Sequence, residues 1–338
     1  MSGFVSIGDQ TRLVYLRQAN NLLKSRLGVL TQEATTGLKA DLPAALQGNM
    51  ALISQVETRL ITLRAYQQNA TLAENEFSGL QNAMGVMEKI AQDSAPDLQV
   101  AATLGDRTSV DLRATGARED FDVVVRMMNT NVGGRYVLSG AAVQTEPVSD
   151  ARSILADLKM LLTGLTTADD MIAAASAWFD AGPNAAGFQK DHFRGAAETT
   201  SVGLSEQTTL ANDMRATDPP FRQTLKGLAL AALANDPDLG LDMAGQALVL
   251  REGGRALAAG AHQMTLARAS VGLKQELIEQ TATRNAAERT SLTIARADLV
   301  SADPYETASA ITQTEANLQN LYALTARLSR LSLTEYLR

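Results

Sequence analysis

Few side chains in this sequence of 338 residues combine the types and spacing that catalysis requires. Histidine occurs only as His192 and His262, and cysteine is absent. The absence of cysteine excludes disulfides, thiolate metal sites and cysteine nucleophiles. The best catalytic candidate is Asp191-His192 beside Arg194, but no nucleophile accompanies it, so a place in a domain core or a surface loop is the favoured hypothesis. We therefore expect no enzymatic activity, no cofactor and no metal.

Two further motifs indicate structural roles. Gly253-Gly254 with Gly260 could suggest a phosphate loop, but no strand precedes these glycines and no Gly-Lys-Ser/Thr follows, so we predict a helix break here. Trp178-Phe179 is predicted to anchor a local core.

Charge and hydropathy exclude two classes of partner. The net charge of −7 argues against a nucleic-acid binder, which needs a basic face. The longest apolar run, from Leu228 to Ala234, is far shorter than the roughly 18–20 residues of a membrane span, so we expect no membrane insertion. The first residues lack a basic segment followed by an apolar one, so we expect no cleaved secretory signal.

The spacing of helix breakers predicts long helices. No proline occurs between Pro43 and Pro96 or between Pro237 and Pro304, and no glycine follows Gly272. A heptad pattern begins at Leu13, contains the polar residue Asn20, and is predicted to end at Gly37. Further helices are predicted over 44–92, with a break at 93–96, over 100–131, from about 264 to Pro304, and from about Tyr305.

The middle of the chain has shorter predicted helices and strands than its ends. Residues 132–140 predict a turn and a short strand, and 198–214 predict a β-hairpin around Ser205-Glu206. Shorter helices are predicted over 155–165, 168–179, 221–234 and 239–257. The predicted fold is mainly α: a long coiled-coil-like helical rod formed by the N- and C-terminal segments, with an inserted smaller α+β domain. We divide it into an N-terminal assembly helix (1–36), a helical rod domain (44–140 with 261–303), an inserted domain (141–260) and a C-terminal assembly helix (304–338).

Two asparagines occupy positions within the heptad patterns. Asn20 lies in the first pattern, and Asn285 interrupts the repeat of apolar residues from Met264 to Leu299. A buried polar residue at such a position can fix the register between helices. Side chains that face solvent or a water are an equally compatible alternative.

Apolar residues continue to the end of the chain, where most chains are polar and fray. Because such helices are unstable alone in water, we expect both terminal helices to form an assembly interface. The predicted interface consists of Leu13, Leu16, Leu23, Leu27, Leu30, Ile311, Leu318, Leu321, Leu328, Leu331, Leu333, Tyr336 and Leu337.

Three segments resemble the bacterial flagellin family. They are the end of the first heptad pattern at Thr36-Gly37, the sequence GRYVLSG at 134–140, and the closing sequence LSRLSLTEYL at 328–337. The last is more similar to hook-associated protein 3, which forms the hook–filament junction, than to flagellin. The resemblance covers about 1–140 and 260–338. Where the family often has Asp-Asp-Pro, this chain has Asp41-Leu42-Pro43, so one acidic residue is missing.

The resemblance implies a structural subunit of the flagellum that joins hook to filament through coaxial packing of its terminal helices. It implies export by the flagellar type III apparatus without a cleaved signal, an extracellular location, and an inserted domain that faces outward. It implies hook-associated protein 1 and flagellin as neighbours, self-association in a ring, and an export chaperone on the C-terminal helix. The alternatives are flagellin itself, the filament subunit, and a cytoplasmic coiled-coil scaffold.

Overall fold

A computed structural model describes the backbone of residues 7–336 and the side-chain environment of residues 11, 12 and 14–328. Over this part the chain is mainly α-helical with short strands, which confirms the predicted fold class. The helices are α1 (Ile7–Thr36), α2 (Leu42–Ala45), α3 (Ala51–Leu104), α4 (Arg107–Met128), α5 (Ala151–Leu162), α6 (Ala168–Asp180), α7 (Phe188–Asp191), α8 (Pro219–Leu233), α9 (Met243–Val300) and α10 (Pro304–Tyr336). The strands are β1 (Asn131–Val132), β2 (Arg135–Tyr136), β3 (Ser201–Gly203) and β4 (Thr209–Ala211).

The chain divides into two compact units. The first contains the described residues up to Thr62 together with those from Ala287 onward, and the second is Leu63–Ala286. The region predicted as an inserted domain, 141–260, lies wholly within the second unit. Its independence as a domain, and the other segment boundaries expected from the sequence, stay predictions.

In the first unit, the chain breaks at the positions that the sequence indicates. Helix α1 ends before Gly37, whose positive φ of 70° suits glycine, and Gly37 N donates to Glu33 O. Asp41 caps the short helix α2 by accepting from Ala44 N at 3.1 Å. Asp303 caps α10 by accepting from the backbone N–H groups of Tyr305 and Glu306.

The two breaks of the first unit are hydrogen-bonded to each other. Ala302 N donates to Gly37 O at 3.0 Å, and Lys39 N donates to Val300 O at 2.9 Å. Leu38 and Ser301 form an antiparallel β-bridge between these bonds. The end of α1 and the start of α10 therefore lie side by side.

The second unit has a continuous apolar core. Helix α4 packs against α8, and α5 and α6 pack around them. The amphipathic helix α4 directs seven side chains inward, from Val110 to Met128, and the second half of α8, from Gly227 to Leu233, is buried on all sides because it is apolar all round. The largest side chains with almost no exposure are Phe121, Phe179, Phe188, Phe221, Leu63, Leu80, Met84 and Met87.

The predicted break at 93–96 is wrong, because α3 continues through Pro96 to Leu104. Proline removes one helical hydrogen bond and costs about 3 kcal/mol in a helix interior. Ala95 and Leu98, on either side of Pro96, are buried in the core, and burial of this face offsets the loss. The helix ends instead at Gly105, which has a φ of 63°, and Asp106 caps α4 by accepting from Ser109 N.

The predicted helix break at Gly253-Gly254 is also wrong, because α9 is continuous from Met243 to Val300. A Cβ on Gly253 would lie 2.9 Å from Gly227 O, and a Cβ on Gly227 would lie 2.7 Å from Gly253 O. A Cβ on Gly260 would lie 2.7 Å from the Thr224 hydroxyl oxygen. These glycines therefore let the backbones of α8 and α9 approach closely, rather than ending a helix.

Both predicted turn regions form hairpins. Strands β1 and β2 pair antiparallel across Gly133-Gly134, where the sequence predicted a turn and a short strand. Strands β3 and β4 pair antiparallel around Ser205-Glu206, as predicted. The second hairpin is held from two helices, because Asn69 Nδ2 of α3 donates to Gly203 O and Asn285 Nδ2 of α9 donates to Leu204 O, each at 2.8 Å.

Candidate assembly interface

The two terminal helices pack against each other. Helices α1 and α10 are in contact, and the hydrogen bond from Ala302 N to Gly37 O brings the end of the first beside the start of the second, so the pair is antiparallel. The predicted apolar seam of α1 is half-buried in this packing at Leu16, Leu23, Leu27 and Leu30. Of the predicted seam of α10, Leu318 is buried, with 7% exposure, and Ile311, Leu321 and Leu328 are half-buried.

Five predicted interface residues cannot be placed as side chains. The backbone of Leu13 lies in α1 and that of Leu331, Leu333 and Tyr336 lies in α10, but their side chains are outside the described set. Leu337 lies outside the described residues altogether.

A second apolar row on α1 is exposed. Tyr15 is 69% exposed, Leu22 is 71% exposed, and Val29 is 39% exposed. These residues are spaced by seven, so they form a row along a different face of the helix from the half-buried seam. On α10, Tyr322 and Leu324 are also exposed. This row is not part of the interface predicted from the sequence, although its spacing of seven was a usable signal.

The seam also contains polar groups. Thr307 and Thr314 of α10 are buried, and the Thr314 hydroxyl donates to Ala310 O of its own helix at 2.7 Å. On α1, Asn20 is half-buried, and its Oδ1 is shielded from solvent without a hydrogen bond from any described residue. Asn285, in contrast, is buried and donates to Leu204 O, so of its two alternatives the structure selects a buried contact rather than solvent.

Ion pairs join α3 to α9 within the first unit. Arg59 binds Glu288 through two hydrogen bonds, Nε to Oε1 at 2.6 Å and Nη2 to Oε2 at 3.0 Å. This contact lowers the pKa of the Glu288 carboxyl below its ordinary value. Arg296 pairs with Glu57 at 3.2 Å on the exposed surface. These pairs set which residues of the two helices lie opposite each other, although exposed pairs contribute little stability.

The histidine considered for catalysis lies in an aromatic core. His192 is 3% exposed, and its ring centroid lies 5.4 Å from that of Trp178 and 6.4 Å from that of Phe188. Its Nε2 lies 3.3 Å from Asp157 Oδ2, but the two atoms are not aligned for a hydrogen bond. Burial lowers the pKa of His192, although the Asp157 carboxylate opposes this shift. His192 and Trp178-Phe179 therefore belong to one core, which agrees with the structural hypothesis for both.

The described residues contain neither a group of side chains that could hold a metal ion nor a helix that could span a membrane. Among them, no set of three or more histidine, aspartate or glutamate side chains is grouped so that it could hold a metal ion. Within the same part of the chain, the long helices are all too polar to cross a membrane.

Comparisons with known proteins gave one weak structural match and no sequence match. No family model matches the chain, and no curated protein matches it. A similar solved structure is that of a Vibrio parahaemolyticus protein provisionally described as flagellar hook-associated. The two chains are 11% identical, with a TM-score of 0.49, and the match covers 74% of this chain and 97% of the other.

Proposed function

We propose that the chain is a structural subunit of the bacterial flagellum that joins hook to filament through coaxial packing of its terminal helices. The observation that carries the proposal is the exposed row of Tyr15, Leu22 and Val29 on a helix that is already paired with α10. Exposed apolar surface of this length is unfavourable in water, so it favours a partner that covers it.

The pairing of α1 with α10 also leaves the first seam incomplete. Among the described side chains of these two helices, Leu318 is the one apolar residue that is buried, with 7% exposure. Helices of 30 and 33 residues draw most of their stability from buried faces, so a pair with one buried apolar residue gains much from additional neighbours. Assembly of many copies around an axis supplies such neighbours on both exposed faces.

The flagellar setting rests on the three sequence segments that resemble the flagellin family. In this proposal the protein has no enzymatic activity and acts outside the cell after export without a cleaved signal. Its neighbours are hook-associated protein 1, flagellin and further copies of itself in a ring, and an export chaperone covers the C-terminal helix before assembly.

The exposed row can be tested separately from the intramolecular seam. We expect the double variant Leu22→Asp with Val29→Asp to abolish swimming of the source bacterium, because two carboxylates would be buried at the contact with a neighbour. The control is Ser25→Asp with Gln32→Asp, which adds the same charges at the same spacing to exposed positions of the same helix outside the apolar row. Hydrogen exchange should show the α1–α10 pair intact in both variants. Normal swimming of the first variant would contradict the proposal.

Deletion of the gene distinguishes the adaptor from its alternatives. An adaptor predicts hooks without filaments, and flagellin secreted into the medium. A filament subunit predicts instead that thousands of copies are found along each filament. A cytoplasmic scaffold predicts normal filaments in the deletion strain and a protein that stays inside the cell.

A further inference from the structure

The β3–β4 hairpin is bound by two long helices at once. Asn69 Nδ2 of α3 donates to Gly203 O, and Asn285 Nδ2 of α9 donates to Leu204 O, each at 2.8 Å. These two carbonyl groups belong to consecutive residues, where β3 ends and the turn begins. One short stretch of the hairpin therefore accepts one hydrogen bond from each helix.

A lysine of α9 provides a second contact of this kind. Lys274 Nζ donates to Ala211 O of β4 at 3.2 Å and pairs with the Asp213 carboxylate. The same ammonium group lies 5.8 Å from the centre of the Phe77 ring of α3, within the range of a cation–π contact. Lys274 thus contacts both the second strand of the hairpin and the opposite helix.

Apolar burial accompanies these polar contacts. Leu204 at the turn and Leu210 in β4 belong to the same buried core as Phe77 of α3 and Ile278 of α9. The next position of the apolar repeat of α9, seven residues after Ile278, is Asn285. At this level of the helix, a hydrogen bond to the hairpin takes the place of the apolar side chain that the repeat predicts.

The docking of the hairpin and the pairing of the two helices depend on each other. Strands of three residues joined by a turn are at best marginally stable alone, so the hairpin needs the helices. Separation of α3 from α9 at this level would break at least one of the two asparagine hydrogen bonds and would expose Leu204 to water. The hairpin and this part of the helix pair should therefore open together.

We propose that the β3–β4 hairpin is a clasp, which holds α3 and α9 side by side through Asn69 and Asn285, so that loss of either asparagine lets this part of the helix pair open. The hairpin lies in the region predicted as an inserted domain, and both asparagines lie in the segments predicted as a rod. The clasp thus makes a part of the inserted region a structural component of the rod. This inference concerns the isolated chain and does not depend on the proposed function.

The test removes each asparagine side chain from the full chain. For Asn69→Ala and for Asn285→Ala, we expect the backbone amides of residues 63–74 and 278–286 to exchange about tenfold faster, because a hydrogen bond that joins the two helices is lost. The decisive observation is the helix opposite the substitution: Asn285→Ala should accelerate exchange in α3, and Asn69→Ala should accelerate it in α9. Asn75→Ala, at an exposed position of α3, is the matched control and should exchange like the wild type.

The double variant separates a clasp from two independent anchors. Loss of either asparagine already severs the link, so the double variant should exchange no more than about twofold faster than the faster single variant. Acceleration confined to the hairpin, or to the helix that carries the substitution, would overturn the proposal, and so would effects that multiply in the double variant. Asn69→Leu and Asn285→Leu keep most of the side-chain volume without a donor, so they give the same comparison if an alanine variant does not fold.

Discussion

The two units of this protein bury their apolar residues to very different degrees. In the second unit, Phe121, Leu228 and many neighbours are fully buried, and the core includes every helix from α4 to α8. In the first unit, the described seam of α1 is half-buried, and a second apolar row on the same helix is exposed. The second unit therefore has a continuous buried core, whereas the described terminal helices leave most of their apolar side chains half-buried or exposed.

The largest expected effect that separates the two units comes from truncation of a core side chain. Phe121→Ala should lower the free energy of unfolding of the second unit by about 3–5 kcal/mol, because it leaves a cavity in a fully buried site. Leu27→Ala in the half-buried seam of α1 should cost about 1 kcal/mol, since less apolar area is lost and the site can relax. Urea unfolding followed by Trp178 fluorescence measures the first, and hydrogen exchange of α1 measures the second. Equal losses in the two variants would remove the distinction between the units.

Glycine-to-alanine substitutions should change stability in opposite directions in the two units. Gly227→Ala should destabilise the second unit by about 1–3 kcal/mol, because its Cβ would press on the backbone of α9. Gly28→Ala in α1 meets open space, so the gain in helix propensity should stabilise the helix by about 0.5–1 kcal/mol. Thermal unfolding followed by circular dichroism measures the change in overall stability of each variant, and hydrogen exchange of the affected helix assigns that change to its unit. A stabilising Gly227→Ala would show that the close approach of α8 and α9 is not required.

The smallest expected effect is a pH dependence below about pH 6.5 that arises from His192 in the second unit. Burial lowers the pKa of His192 below its ordinary value of 6.5, despite the nearby carboxylates of Asp157, Asp191 and Asp150. Below pH 6.5, His192 binds a proton in the unfolded chain but stays neutral in the folded chain. The free energy of unfolding should therefore fall as the pH decreases below 6.5, and this group should have no effect on it above pH 6.5. Urea unfolding at a series of pH values, read from the single tryptophan, measures this slope.

His192→Leu should reduce that slope, and His262→Gln, at an exposed position, should leave it unchanged. The exchange rates of α1, corrected for the intrinsic effect of pH, should not follow the slope. A slope that survives His192→Leu would assign the pH dependence to other groups.

The parts of the fold that local chemistry determines could be predicted. The end of α1 at Gly37, the start of α10 at Pro304 and the hairpin around Ser205-Glu206 each depend on residues within a few positions. The helix breaks predicted at Pro96 and Gly253 were wrong because tertiary packing outweighs the local preference of these residues. Pro96 lies beside buried apolar residues of α3, and Gly253 lies where α9 closely approaches α8.

The interface could be predicted in part. The seam from Leu16 to Leu30 followed from its heptad spacing, but spacing alone does not say which face of a helix meets an intramolecular partner. Tyr15, Leu22 and Val29 repeat with the same period, and their exposure depends on the position of α10, nearly 300 residues away in the sequence. A regular repeat of mixed apolar residue types beside a leucine seam is a signal worth counting in other sequences.

The bridge between Leu38 and Ser301 has a mechanical consequence. Helix α1 stops at Thr36 and α9 stops at Val300, so both chain segments leave the helical path at the same level and are hydrogen-bonded to each other there. Backbone hydrogen bonds between two such segments form at one relative position of the segments along the helix axis. The end of α1 therefore cannot shift along the start of α10 unless the bridge and its two flanking hydrogen bonds break, which fixes the axial alignment of the two helices at this end.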